Sequence, residues 1–239
     1  MGRDIRAVLF DLDGTLLDTL SDIASAMNAA LAAHGLPTHP VDAYRLMVGS
    51  GADVLVRRAL ASGGEDARPH PADDLVGSLL DRMKQEYAAN TVSRTRPYPG
   101  IPKLIGELAE LGLPLAVLSN KPDELVKPIV AAFFADDTFS VIRGLRDGFP
   151  RKPDPAGACA IASELGVKPR ECVYLGDSDV DMQTARNAGM IAIGAGWGFR
   201  GRAELVRAGA ARVIDDPGEL TPLIRGGFHA EGADSGRTD

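Results

Sequence analysis

Two carboxylates separated by one leucine, Asp11 and Asp13, follow directly on the apolar run Ala7-Val8-Leu9-Phe10 and precede Gly14-Thr15. An uninterrupted apolar run of this kind reads as a strand buried on both faces, the type found in parallel sheets. The acids then stand at the carboxyl end of that strand, where open α/β sheets bind ligands. Two carboxylates held so close repel each other and need a cation or a proton between them. Asp-Gly is also a common turn pair, so what Asp11 and Asp13 do depends on what the rest of the chain brings to them.

Other polar clusters occupy equivalent places. Ser119-Asn120 follows Leu115-Ala116-Val117-Leu118, and Gly176-Asp177-Ser178-Asp179-Val180-Asp181 follows Cys172-Val173-Tyr174-Leu175. Lys152-Pro153 precedes the helix that leads into this last run. With the first strand central and the other two beside it, all these tips open on one crevice, the topological switch point of the sheet. Asp11, Asp13, Asp177 and Asp181 then set four potential negative charges against the single positive charge of Lys152. Each like pair at roughly 4 Å costs on the order of 4 kcal/mol at an effective dielectric of 20. A divalent cation relieves that cost. An all-oxygen donor set suits a hard ion such as Mg²⁺, which keeps substrate phosphate oxygens in its shell. Asp181 lies one helical turn beyond Asp177 and is placed to face the same way.

The elements that must position these residues are read from periodicity. Leu20, Ile23, Met27 and Leu31 recur at helical spacing and stop before Gly35 and Pro37. A second helix is expected from Asp42 to Met47, a break at Gly49-Ser50-Gly51, and a third helix from Ala52. A loop follows from Ser62 to Pro71, then an amphipathic helix marked by Leu75, Leu79, Met83 and Tyr87. Residues 18–92 thus read as a helical insert, with linkers at Asp18-Thr19 and from Ser93 to Pro99. From Gly100 onward helices alternate with short apolar strands, expected from Leu115 to Leu118, Phe139 to Ile142, Cys172 to Leu175, Ile191 to Ile193 and at Val213-Ile214. Such alternation implies a parallel sheet with helices on both faces and right-handed crossovers. The expected fold class is α/β: a doubly wound, Rossmann-like parallel sheet core (1–17 and 93–225), the helical insert (18–92) and a disordered polar tail (226–239).

Composition narrows the function. The 239 residues are 45% hydrophobic and 25% charged, an ordinary globular balance. A net charge of −7 argues against a nucleic-acid binder, which would be basic. No apolar run approaches the roughly 20 residues that span a bilayer, and Met1-Gly2-Arg3-Asp4 lacks the apolar core of a secretory signal. Arg6 in place of Ser or Thr argues against myristoylation. Cys159 and Cys172 sit among apolar residues and read as buried free thiols. A cytoplasmic protein, monomeric or homodimeric, is expected.

The ordered set of clusters resembles the haloacid dehalogenase-like hydrolase superfamily. Asp11-Leu12-Asp13-Gly14-Thr15 is similar to its first motif, Ser119 to its second, Lys152 to its third, and Gly176-Asp177 with Asp181 to its fourth. The resemblance spans about residues 6–220, and the helical insert resembles the α-helical cap of one subclass. Within that subclass Tyr98-Pro99-Gly100, Ser119-Asn120-Lys121-Pro122, Gly176-Asp177-Ser178 and Gly196-Trp197-Gly198 most resemble the phosphoglycolate phosphatases. The resemblance implies a small phosphorylated metabolite as substrate and a Mg²⁺ cofactor. Asp11 is implied as the nucleophile that forms an aspartyl-phosphate, Asp13 as acid and base, and Thr15 as the residue that holds Asp13. Ser119, with backbone N–H groups near Asn120 and Gly14, is implied to hold the transferring oxygens, and Lys152 to stabilise charge on Asp11 and the phosphoryl group. Asp11, the carbonyl of Asp13 and Asp177 are the implied metal ligands, with Asp181 in the outer shell or a further ligand.

The cap is expected to close on the crevice and choose the substrate. Gly49-Ser50-Gly51 permits close approach to a small ligand. Arg45, Arg57, Arg58 and Lys84 are the insert's cations placed to meet a substrate carboxylate, each reading equally as a solvated helix residue. Other readings of the same core are a phosphatase of another small ester or a sugar phosphomutase. A phospho-accepting receiver domain would carry its acceptor aspartate on a later strand and would lack so large an insert.

Overall fold

The computed structural model describes residues 4–62, 71–90 and 92–227. Its main sheet has six parallel strands in the order β5-β4-β1-β6-β7-β8. The central strand, β1 (Ala7–Phe10), is buried along its whole length. It lies between β4 (Leu115–Pro122) and β6 (Cys172–Gly176), with Phe10 opposite Val117 on one side and Leu175 on the other. Outside them lie β5 (Val141–Leu145), β7 (Ile191–Ala195) and β8 (Arg212–Ile214). The strand order reverses at β1, so the tips of β1, β4 and β6 open on the switch-point crevice.

The two-residue alternation of the strands divides the core. Val8 and Phe10 point into one apolar cluster, with Leu115, Val117, Val173 and Leu175. Ala7 and Leu9 point into a second, with Ala116, Leu118 and Tyr174. The first face is covered by α4 (Ile101–Glu110) and α5 (Asp123–Ala131), and its cluster runs on without a gap into the insert. The second is covered by α6 (Ala156–Glu164) and α7 (Asp179–Ala188).

The insert consists of α1 (Leu20–Ala33), a 3-10 turn over Val41–Leu46, α2 (Ala52–Ala61) and α3 (Asp73–Ala89). It enters and leaves through an antiparallel pair, β2 (Leu17–Asp18) with β3 (Arg96–Pro97), where the linkers had read as irregular. Asp22, in the first turn of α1, accepts hydrogen bonds from the N–H of Arg94, the N–H of Thr95 and Thr95 Oγ1, which ties exit to entry.

Several sequence expectations shift. β4 continues four residues past Leu118 because Ser119, Asn120 and Lys121, although polar, are buried at the crevice. β5 lies later than Phe139 to Ile142. Arg143 interrupts its apolar pattern, yet is buried because its guanidinium pairs with Glu164 and donates to the Gly157 carbonyl. The stretch from Asp42 to Met47 forms only the 3-10 turn; caught between Pro40 and Gly49, it is too short to sustain an α-helical ladder. Two short helices, α8 (Arg202–Arg207) and α9 (Leu220–Gly226), were not expected, and Gly226 ends α9 instead of opening a tail. The rest of that tail, 228–239, and residues 63–70 of the loop lie outside the described residues. Both cysteines are free; Cys172 is buried and Cys159 half-buried.

Candidate active site

Asp11 extends β1 by one bond, donating its N–H to Leu175 O at 2.9 Å. The chain then turns sharply: Leu16 and Leu17 both donate to Leu12 O. Gly14 takes the left-handed φ of +87° that this turn requires, and a Cβ there would lie 2.3 Å from Asp177 Oδ2. Gly198 presses on the same side chain from the opposite side; its Cβ would lie 2.2 Å from Asp177 Cβ. Asp177 is thus boxed between two glycines, and its Oδ2 accepts from Phe199 N at 2.7 Å.

Asp11, Asp177 and Asp181 each bring one carboxylate oxygen to a common point, all within 4.8 Å of one another and all buried. Lys152 enters from the other side. Its Nζ lies 2.8 Å from Asp11 Oδ1 and 2.7 Å from Asp181 Oδ1, and it also donates to Leu118 O and Tyr174 Oη at 3.1 Å each. The second oxygen of Asp181 accepts from the N–H and hydroxyl of Ser178, the N-cap of α7.

Burial, followed by the charge of Asp181, pushes the Asp11 carboxyl up to about 7 against the pull of Lys152. Burial, followed by Asp181 and Asp11, holds Asp177 well above the ordinary carboxylate range. Burial opposes the charge of Lys152, but Asp11 and Asp181 outweigh it and hold the ammonium well above its usual range. The acids are therefore under-compensated by protein charge alone. A hard divalent cation fits the donor set and the charge deficit.

Asp13 departs from the expected arrangement. Its carboxylate is not in the acidic cluster. Lys121 Nζ donates to both its oxygens, at 2.9 and 2.8 Å, and Thr19 Oγ1 donates to Oδ1 at 2.7 Å. Asp13 outweighs the burial that disfavours the Lys121 charge, so this ammonium is also held above its usual range. Four buried carboxylates thus face two buried lysines rather than one. Thr15, expected to hold Asp13, does not: its Oγ1 is buried without a partner, and its carbonyl accepts from Trp197 Nε1. Thr19 holds Asp13 because the turn after Asp13 carries the first turn of the insert back over it. The N–H of Gly14 is spent on Leu17 O, so it is not available to a phosphoryl oxygen.

Ser119 and Asn120 reach the crevice from β4. The Asn120 side chain accepts from Lys152 N at 2.8 Å, and its amide donates to Lys152 O and Gly49 O. It therefore fixes the backbone of Lys152 and touches the insert loop, leaving its main chain for ligand contact. Ser119 Oγ accepts from Lys121 N at 3.2 Å.

Asp11, Asp13, Ser119 and Lys121 form the floor of a cavity of about 60 Å³. Gly49, Leu55, Lys84 and Tyr87 of the insert form its walls. Three of the four insert cations named from the sequence turn elsewhere. Arg45 pairs with Asp42, Arg57 with Asp73, and Arg58 donates to Leu46 O, Met47 O and Ser50 Oγ. Residues that sequence reasoning did not single out are Thr19, Tyr87 and the pairing of Lys121. A signal for Lys121 existed: as residue i+2 from Ser119 in an extended strand, it falls on the same face.

A family model described as haloacid dehalogenase-like hydrolase matches residues 5–189. The phosphoglycolate phosphatase of Mannheimia succiniciproducens is 32% identical over 224 residues, covering 94% of this chain and 100% of that one. That of Yersinia pestis is 35% identical over 222 residues, covering 93% and 94%. Among solved structures, CbbY from Rhodobacter sphaeroides in complex with phosphate superposes with a TM-score of 0.74 at 29% identity, covering 90% of this chain and 96% of that one. No described helix is long and apolar enough to cross a membrane. The chain belongs to the haloacid dehalogenase-like hydrolase family, in which it is one of the phosphatases with an inserted helical cap.

Proposed function

We propose that the chain hydrolyses 2-phosphoglycolate to glycolate and inorganic phosphate, with Mg²⁺ as cofactor and an aspartyl-phosphate on Asp11 as intermediate. The observation that carries this reading is the position of the Asp11 carboxylate. It lies on the floor of a cavity of about 60 Å³ that the cap walls in, with Lys152 Nζ 2.8 Å away. That volume is far below the several hundred Å³ of pockets for larger ligands, which favours an ester of few atoms. The two phosphoglycolate phosphatases compared above support the substrate.

Asp11 attacks phosphorus as the ester bond breaks, and Asp13 gives its proton to the departing glycolate oxygen. Water then attacks phosphorus, the bond to Asp11 breaks, and the water proton goes to Asp13. Lys121 and Thr19 hold the Asp13 carboxylate for that second proton transfer. Lys152 balances charge on Asp11 and the transferring group. Asp11, Asp177 and the carbonyl of Asp13 would hold the metal, with Asp181 kept beside them by Lys152 and Ser178. When bound, Mg²⁺ supplies charge neutralisation for the phosphoryl oxygens.

The test is phosphate release with Mg²⁺ from a panel containing 2-phosphoglycolate, sugar phosphates and nucleotides. The highest kcat/KM is expected on 2-phosphoglycolate. A sugar phosphate turned over far faster would replace the substrate, and phosphoryl return to sugar in place of water would make the chain a mutase.

A further inference from the structure

We infer that Lys84, on the cap helix α3, is the residue that selects a carboxylate-bearing phosphate ester, with the Tyr87 hydroxyl as its neighbour in the same subsite. This deepens the substrate reading proposed above and rests on it. An anionic two-carbon ester presents charge at both ends. The floor of the cavity accounts for the phosphoryl end; the carboxylate end needs a cation on the cap wall.

The wall offers one. Among the described residues, Lys84 and Lys121 are the cations lining the cavity, and Lys121 is committed to both oxygens of Asp13. Lys84 has no ion-pair partner among the described residues. Of the other described insert cations, Arg45 is held by Asp42, Arg57 by Asp73, Arg58 by the main-chain carbonyls of Leu46 and Met47, and Arg82 by Glu86.

Tyr87 supplies the second, independent observation. It stands three residues after Lys84, on the same side of α3. The ring is buried against Lys121, whose Nζ lies 4.7 Å from the ring centroid, while the hydroxyl is buried without a hydrogen-bond partner. The hydroxyl lies close to the Lys121 ammonium and makes no hydrogen bond of good geometry there, so a ligand oxygen reaching this wall would satisfy it. Met83 and Leu55 make the rest of this wall apolar, while Lys84 itself is exposed.

The experiment compares kcat and KM on 2-phosphoglycolate and on ethyl phosphate, which has the same heavy-atom skeleton length but no carboxylate. It uses the Mg²⁺-loaded wild type, Lys84→Met, Lys84→Arg and Tyr87→Phe. The wild type is expected to prefer 2-phosphoglycolate. Lys84→Met is expected to lose roughly 10- to 100-fold in kcat/KM on 2-phosphoglycolate, mostly through KM, the loss expected for one charged hydrogen bond. On ethyl phosphate it should change little. Lys84→Arg should recover part of the loss, and Tyr87→Phe should lose less than Lys84→Met, with the same substrate dependence. A preference for 2-phosphoglycolate that survives Lys84→Met intact, or an equal loss on both esters, would overturn the assignment to Lys84 while leaving the substrate reading standing. A wild type that does not favour 2-phosphoglycolate over ethyl phosphate would overturn the substrate reading and, with it, the carboxylate subsite.

Discussion

Lys121 and Asp13 are 108 positions apart in the chain, yet the lysine ammonium donates to both oxygens of the carboxylate, at 2.9 and 2.8 Å. Both side chains are buried, and the pair joins the extension of β4 to the turn that follows β1. It separates the two carboxylates of the first polar cluster by function: Asp11 belongs to the group with Asp177 and Asp181, and Asp13 to a lysine of its own. Breaking such a pair from one side leaves a buried charge uncompensated, at about 3–5 kcal/mol. Lys121→Met is therefore expected to lower the melting temperature clearly, and the double variant Lys121→Met/Asp13→Asn to regain part of the loss. Thermal denaturation of the three proteins checks this. A single variant as stable as wild type would show the pair contributes nothing.

Under the proposed mechanism, Asp11→Asn removes the nucleophile and little else. Its carboxylate already sits among like charges, so an isosteric neutral side chain is tolerated by the fold. Turnover is expected to fall to background while the circular dichroism spectrum and the cooperativity of unfolding persist. Acid-stable labelling tracks the same residue: the phosphoryl adduct trapped from wild type should be missing in the variant. Retained activity would point to a different nucleophile.

The acidic cluster predicts a metal response. A cation that binds the folded chain alone at 100 times its dissociation constant stabilises it by about 2.7 kcal/mol. Adding MgCl₂ to chelator-treated protein should raise the melting temperature and restore phosphatase activity. In Asp177→Asn both responses should shrink, since this residue is one of the three that converge. An Asp177→Asn protein with an undiminished Mg²⁺ response would remove Asp177 from the metal site.

The glycine box makes a steric prediction. Gly198→Ala places a Cβ 2.2 Å from Asp177 Cβ and 2.5 Å from the Gly14 carbonyl, so Asp177 must move. Activity is expected to fall by about 10- to 100-fold, the range seen when the supports of a metal ligand are lost. Gly35→Ala is the control: φ is +65° there but nothing lies within 4 Å. It should cost about 1–2 kcal/mol of stability and leave kcat/KM unchanged. Equal activity in both variants would show that the box does not position Asp177.

The main sheet was legible because its strands are short apolar runs that end in polar clusters. β1 and β6 follow that rule closely. β4 and β5 break it, since Lys121 and Arg143 are buried charges, and burial of a charge depends on a partner far away in the chain. The helices that were missed, α8 and α9, are too short to show a clear period. At the site, Asp11, Lys152, Asp177 and Asp181 were readable as residues at strand ends, and the structure brings them together. The partner of Asp13 was not: the resemblance implied Thr15, while the insert delivers Thr19.

Local sequence, then, determines which residues form strands and which polar groups stand at their ends, because apolar periodicity acts between near neighbours along the chain. Tertiary structure decides the pairings: which lysine meets which carboxylate, which threonine holds Asp13, and which of the four candidate cap cations lines the cavity. Those choices rest on strand order, register and the angle at which the insert returns over β1. They bring together groups more than 100 positions apart, as in Lys121 with Asp13 and Lys152 with Asp11, and no local pattern of the chain carries that information.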